Sequence, residues 1–219
     1  IFLYNRMHAK RVFYCLLYFI KKSSTAIWSF IRPVFTASSK STDLDPAGVA
    51  LGMFIQYSRL CLEPLITYDS DGKVGKAMAE SYEESSDGLT WIFHLRKDAK
   101  WSDGSAVTSA DFVNTIKRSL DGKTSKSIYA DMLSPIVGAT EAYAGTASVD
   151  NVGVTAPDDY TIEFKLVKPC SYFLKLIAMQ CCYPSKAGIA TNENETWYTD
   201  PKTNLANGAF YMTEYVQGQ

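Results

Sequence analysis

The stretch Leu89 to Val113, LTWIFHLRKDAKWSDGSAVTSADFV, constrains the fold more than any other, because it strings together a strand, a tight turn and a helix start. In Leu89 to Arg96, Leu89, Trp91, Phe93 and Leu95 fall on one face and Thr90, His94 and Arg96 on the other, with Ile92 the exception. Such alternation predicts a strand packed on one side. Asp103-Gly104 marks a turn, since Gly tolerates positive φ and Asp can bond its own backbone. Thr108-Ser109-Ala110-Asp111 has capping-box spacing, with Asp where Glu is usual, and Phe112, Val113, Ile116 and Leu120 recur at helical spacing. Lys117 and Arg118 stand near the end of this predicted helix, where its dipole favours cations.

The same elements recur downstream. Tyr160, Ile162, Phe164 and Leu166 alternate in DYTIEFKLVKP, and Pro169 stops that strand ahead of a predicted helix, SYFLKLIAM. Four Asp-Gly pairs, Asp71-Gly72, Asp87-Gly88, Asp103-Gly104 and Asp121-Gly122, punctuate the middle of the chain. They are read as turns. A calcium loop at YDSDGK fails on counting: with Gly72 at the sixth position, the first would be Thr67 and the twelfth Met78. Strands and helices interleave without a strict βαβ rhythm, so the fold class is mixed α/β (α+β).

The charge is unevenly distributed. Seven of the 22 Lys and Arg precede Asp43 and all 23 Asp and Glu lie from Asp43 onward, so the body carries 15 basic against 23 acidic side chains, a net of about −8. No nucleic-acid partner is expected of such a body. The segment 1–42 is basic and apolar: Lys10-Arg11, a nine-residue run VFYCLLYFI, Lys21-Lys22, the patch AIWSFI, then TASSKST. The run is too short to span a bilayer, and it reads as signal-like or as a mistranslated start. A lipid-anchor cysteine is not evident, because Phe13-Tyr14 precede Cys15.

Signals of catalysis are lacking. There is no G-x-S-x-G and no H-E-x-x-H, and only two histidines. Gly122-Lys123-Thr124 resembles the tail of a phosphate loop, but the glycine required five positions earlier is Lys117. His94 reads as an ordinary sheet residue. The five cysteines, Cys15, Cys61, Cys170, Cys181 and Cys182, show no metal or redox spacing and are expected to be buried fillers or free thiols. No catalytic residue, no metal site and no cofactor is expected.

The block AESYEESSDGLTWIFHLRKDAKWSDGSAVTSADFV resembles the signature of the family 5 extracellular solute-binding proteins, the oligopeptide, dipeptide and nickel receptors of bacterial ABC importers. That signature is written approximately A-E-S-W-x-x-S-x-D-G-x-T-Y-x-F-x-L-R-x-x-x-K-W-x-D-G-x-P-x-T-A-x-D-F-V. Further landmarks keep the family's order: Leu44-Asp45-Pro46, Glu63-Pro64-Leu65, Asp158-Asp159-Tyr160-Thr161, the PCSYFL stretch from Pro169, and Asn207-Gly208-Ala209-Phe210. Two departures stand out. TASSKST offers no apolar strand before Leu44-Asp45-Pro46, so the family's first strand is expected to be missing or replaced, and the family is much longer than this chain.

The resemblance implies a periplasmic-binding-protein type II-like fold, of which 43–219 would be an incomplete first lobe. About 63–186 would form an outer subdomain and 187–219 begin the return to the ligand side. It implies an oligopeptide or related solute held between two lobes, a permease partner, a periplasmic or extracellular location, membrane association only through an anchor or the permease, a monomer, and no enzyme activity. This piece is expected to bind weakly. Val49, Ala50, Leu51, Gly52 and Met53 align with a stretch bordering the ligand, and Tyr129, in Ser127-Ile128-Tyr129-Ala130, aligns with a tyrosine facing the cleft. Trp101, Asp103 and Gly104 are expected to form a turn and its packing anchor. The alternatives are a receptor-derived sensor or adhesion module and a carbohydrate-active enzyme. Nickel, opine and some sugar receptors share the signature, so the solute stays open.

Overall fold

The computed structural model describes residues 15–21, 35–37, 44–46, 52–68, 71–125, 127–194 and 196–217. In chain order the regular elements are strands β1 (Cys15–Lys21) and β2 (Phe35–Ala37), helix α1 (Gly52–Cys61), strands β3 (Ile66–Tyr68), β4 (Val74–Lys76), β5 (Ala79–Glu84) and β6 (Thr90–Leu95), and helix α2 (Ser109–Leu120). Helix α3 (Ala139–Tyr143), strands β7 (Val154–Asp158) and β8 (Thr161–Lys165), helix α4 (Phe173–Ile177) and strand β9 (Phe210–Gln217) complete the series. This is the expected α+β mixture.

The two alternating stretches become the centre of a four-stranded antiparallel sheet, ordered β5-β6-β8-β7. Register places Trp91 opposite Phe164 and Phe93 opposite Ile162, so the apolar faces coincide. Trp91, Phe93, Leu95, Ile162 and Phe164 are buried. Their rings make a connected cluster: Phe93 meets Phe164 edge-on at 5.7 Å between centroids, Phe164 meets Phe173 at 5.3 Å, and Trp91 lies 5.5 Å from Phe173. Helix α4 is therefore held through Phe173, by contacts worth about 0.5–1.5 kcal/mol per pair beyond area burial. Helix α2 packs over β7 and β8 through its buried Phe112, Ile116 and Leu120.

A second sheet runs in the order β2-β1-β9, all antiparallel. It places two strands before Leu44-Asp45-Pro46, where the family's own first strand is expected to be missing or replaced. The physical reason is that CLLYFIK is aromatic and aliphatic but too short to span a bilayer, and β9 offers it a complementary edge running from Cys15 opposite Gln217 to Lys21 opposite Phe210. The remainder of 1–42 lies outside the described residues. Strands β3 and β4 form a separate hairpin.

Three of the Asp-Gly pairs are left-handed turns, with φ of 75° at Gly72, 68° at Gly88 and 89° at Gly104. Asp121-Gly122 differs. Gly122 has no positive φ, but a Cβ there would lie 1.9 Å from the Tyr143 carbonyl oxygen, so this glycine allows the end of α2 to approach α3.

Two landmarks far apart in sequence meet where the sheets join. The Glu63 N–H donates to Asn207 Oδ1 at 2.9 Å and the Asn207 amide donates back to the Glu63 carbonyl at 3.2 Å. Gly208 N–H donates to the Cys61 carbonyl at 2.8 Å, and a Cβ on Gly208 would lie 2.7 Å from Cys61 C. Arg96 Nη2 reaches Glu63 Oε2 at 2.6 Å, tying the same point to the end of β6.

Candidate functional site

The signature block is organised around one buried carboxylate, Asp111, in the first turn of α2. Its Oδ2 accepts from the Trp101 indole N–H at 2.9 Å and from the Thr108 N–H at 2.9 Å. The latter bond is the capping arm that the spacing predicts. Its Oδ1 accepts from the Ala187 N–H at 2.9 Å, fastening a segment 76 residues away. Trp101 is fully buried, and Lys186 Nζ lies 5.9 Å from its ring centroid.

Asp103 and Gly104 close the loop beside that anchor. The Asp103 carboxylate accepts from Ser105 N–H at 2.9 Å and Ser105 Oγ at 2.7 Å, and the Ser105 hydroxyl bond in particular holds its carboxyl below the usual range. Trp101, Asp103 and Gly104 thus form the expected turn and packing anchor. What sequence reasoning missed is that Asp111 is the hub as well as a helix cap. A long-range backbone donor leaves no local sequence signal.

A second buried network sits at the other end of α2. Arg118, read from sequence as a dipole cation, is instead buried, its two Nη atoms paired with both oxygens of Asp45 at 2.7 and 2.9 Å. Asn192 Oδ1 accepts from the same guanidinium at 3.1 Å, and the Trp197 ring centroid lies 5.5 Å away. The aspartate of Leu44-Asp45-Pro46 is therefore the counter-ion of α2.

Two open clefts flank these anchors. One, of about 600 Å³, lies between the Trp101 loop and β9, lined by Ser102, Asp103, Asp200, Lys202, Tyr211 and Thr213. The other, of about 540 Å³, lies at the end of the four-stranded sheet beside His94, Lys97, Asp158 and Tyr160. His94 Nε2 is 3.6 Å from Glu83 Oε1, an exposed sheet pair. Bonds from the Tyr160 N–H and the Thr161 hydroxyl hold the Asp158 carboxyl below the usual range. Among the described residues no group of three or more His, Cys, Asp or Glu is placed to hold a metal ion, and no helix is long and apolar enough to cross a membrane.

Of the residues aligned with ligand positions, Val49, Ala50 and Leu51 lie outside the described residues, and Gly52 and Met53 open α1. Helix α1 rests on β9 and on the 3-10 turn Gln180–Cys182. Tyr129 stands on a different support, immediately before the 3-10 turn Ala130–Leu133, which packs on α2 and α3. Its N–H donates to Ser127 Oγ at 3.3 Å, its carbonyl accepts from Met132 N–H at 3.0 Å, and its half-buried side chain packs against the core. Beside it, Ile128 is 60% exposed.

The cysteines follow the expected pattern where described: Cys61, Cys170, Cys181 and Cys182 are free and buried. Burial pushes the Cys61 thiol far above its ordinary value near 9, and burial together with Cys61 pushes Tyr57 well above 10. Groups with raised folded-state values stay protonated in the folded chain while the unfolded chain deprotonates. Their stabilising contribution is therefore complete below about pH 9 and falls as pH rises, on the order of 1.4 kcal/mol per group per pH unit. Melting temperature is expected to drop between about pH 9 and 10.5, and more steeply in the parent than in Cys61→Ala. Equal slopes would show that Cys61 is not linked to folding.

The comparisons with known proteins agree on one assignment. The model of the bacterial extracellular solute-binding proteins, family 5, middle region, matches residues 73–219. The periplasmic oligopeptide-binding protein OppA of Escherichia coli is 37% identical over 180 residues, 81% of this chain and 33% of its own length. The "Probable deoxycholate-binding periplasmic protein YgiS" of the same organism is 34% identical over 175 residues, 79% of this chain and 32% of its own length. The substrate-binding domain of an oligopeptide ABC transporter from Bacillus anthracis superposes with a TM-score of 0.74 at 35% identity, over 79% of this chain and 33% of that structure. The chain spans about a third of the length of the relatives it matches. The Asp111-centred loop, the antiparallel sheet beneath it and these likenesses together place the chain in the family 5 bacterial extracellular solute-binding proteins.

Proposed function

We propose that the chain supplies most of one lobe of a receptor that binds oligopeptides outside the cytoplasmic membrane and presents them to the permease of an ABC importer. The observation that carries this reading is the likeness to oligopeptide-binding relatives along most of the chain, at 37% identity to OppA of Escherichia coli. In this reading about 63–186 form the outer subdomain and 187–219 return toward the ligand side. Residues 49–53 and Tyr129 border a peptide whose main chain is held by hydrogen bonds, in wet pockets that tolerate varied side chains. A second lobe closes over the peptide by a hinge motion, and no bond is broken. The relative named for deoxycholate supports a second ligand class, an amphipathic steroid acid.

Titration calorimetry of the 219-residue chain with tri- to pentapeptides is expected to show no micromolar binding, because half of a clamp leaves the ligand exposed. Residues 44–217 grafted in place of the matching third of the Escherichia coli relative are expected to restore it. Tyr129→Ala in that graft weakens affinity about tenfold, or about 1.4 kcal/mol. Micromolar binding by the isolated chain contradicts the two-lobe reading, unchanged affinity removes Tyr129 from the site, and deoxycholate binding by the graft without peptide binding favours the second ligand.

A further inference from the structure

We propose that the outer edge of β5 is a docking site for an extended basic segment of another protein, which joins the four-stranded sheet as an added strand. β5 ends the order β5-β6-β8-β7, so one side of its backbone faces away from the sheet. The bond from Ser85 N–H to the Thr90 carbonyl, 2.9 Å, fixes the alternation along the pair. It turns the main-chain groups of Glu83 toward β6 and those of Tyr82 and Glu84 outward, where they meet no partner among the described residues. Glu80, Ser81, Tyr82, Glu83 and Glu84 are all exposed.

The beginning of the same edge is already filled by the chain itself. Met78 N–H donates to the Pro64 carbonyl at 3.0 Å and Ala79 N–H to the Leu65 carbonyl at 2.8 Å. From Ile66 the chain departs into the β3-β4 hairpin, and a cleft of about 300 Å³ opens between that hairpin and β5, bordered by Ile66, Val74, Lys76, Ser81 and Tyr82. An extended segment entering there takes up the edge where Leu65 leaves it, and its main chain supplies the affinity.

Side chains select the occupant. Between Lys76 and His94 the sequence has four acids, Glu80, Glu83, Glu84 and Asp87, and no base. A second copy of the chain would set these acids against one another, and like charges facing across strands are unfavourable, whereas Lys or Arg opposite them is favourable. Tyr82 is 40% exposed, and its ring centroid lies 6.0 Å from that of Trp91 and 5.7 Å from that of Phe93, so it extends the apolar face to the margin and favours an apolar residue opposite. The fitting segment therefore carries an apolar residue flanked by Lys or Arg. This surface is separate from residues 49–53 and Tyr129 and does not depend on the peptide reading above.

The test uses the 219-residue chain and two capped heptapeptides, Thr-Lys-Lys-Val-Lys-Lys-Thr and Thr-Glu-Glu-Val-Glu-Glu-Thr, followed by nuclear magnetic resonance. The basic peptide is expected to bind saturably, more weakly than micromolar, and to slow hydrogen exchange at the Tyr82 and Glu84 amides; the acidic peptide is expected not to bind. Glu80→Lys/Glu83→Lys/Glu84→Lys, checked for its far-ultraviolet dichroism, should reverse that preference. Glu84→Pro removes an outward N–H that β6 does not use, and should weaken the basic peptide more than Glu84→Ala, which removes only the charge. No binding of the basic peptide overturns the proposal. So does binding that leaves both amides exchanging as before, or that is weakened equally by Glu84→Pro and Glu84→Ala, since either would be attraction of charge alone. A parent chain that dimerises, and ceases to do so in Glu84→Pro, gives the edge to a second copy and overturns it as well.

Discussion

Asp111→Ala is expected to remove about 3–5 kcal/mol of stability, out of the about 5–15 kcal/mol that native proteins commonly have. Three donors lose their acceptor at once: the Trp101 indole N–H, the Thr108 N–H and the Ala187 N–H. Each buried donor left unsatisfied costs about 1–3 kcal/mol, and the sum is reduced because the loop can relax toward water. Asp111→Asn should recover little. An amide offers one acceptor oxygen, so its NH2 would face either Ala187 N–H or the Trp101 and Thr108 pair, donor against donor. Asp103→Ala, on the exposed turn, should cost well under half as much. The checks are denaturant midpoints for the three variants and hydrogen exchange of the Trp101 indole, which should become fast in Asp111→Ala. A loss below about 1 kcal/mol would show that Asp111 is not the hub.

How much of this was legible beforehand depends on whether the information was local. The strand at Leu89–Arg96 was, because a one-sided sheet writes its burial into every second residue: Trp91, Phe93 and Leu95 are buried and Thr90, Ile92 and His94 are not fully so. The start of α2 was also legible, because a cap is a four-residue affair. Arg118 was not. Near the end of an amphipathic helix a cation satisfies the dipole and gives no hint that its partner lies 73 residues earlier in Asp45. Strand β1 was not legible for a related reason. A short apolar run flanked by lysines suits a signal segment and a strand equally, and the edge it pairs with, β9, is almost two hundred residues away. For the candidate site the separation is sharper still. The resemblance could nominate Tyr129 and 49–53, but ligand positions depend on which elements face the same space, and no short stretch of sequence records that.

Breaking the Arg118–Asp45 pair should give the other large effect, and its sign depends on how the pair is broken. Side-chain exposure is 7% for Arg118 and 15% for Asp45, so the two-pronged bond is largely withdrawn from water. Asp45→Ala leaves the guanidinium with Asn192 and the Trp197 face but without its counter-ion, and a single-partner loss of this type costs about 3–5 kcal/mol. Arg118→Lys should also be costly, since an ammonium cannot reproduce two parallel bonds to one carboxylate. Removing both charges is different. Arg118→Met with Asp45→Leu deletes the desolvation penalty along with the attraction, and is expected to fall within about 1 kcal/mol of the parent or above it. Unfolding midpoints of the parent, both single variants and the double close a thermodynamic cycle. The expected coupling is more than 2 kcal/mol and changes little between about 0.1 and 1 M salt, because buried charges are weakly screened. Single and double variants that simply add would mean that Arg118 holds Leu44-Asp45-Pro46 against α2 by packing alone, and the helix would then owe its position to the apolar contacts of Phe112, Ile116 and Leu120.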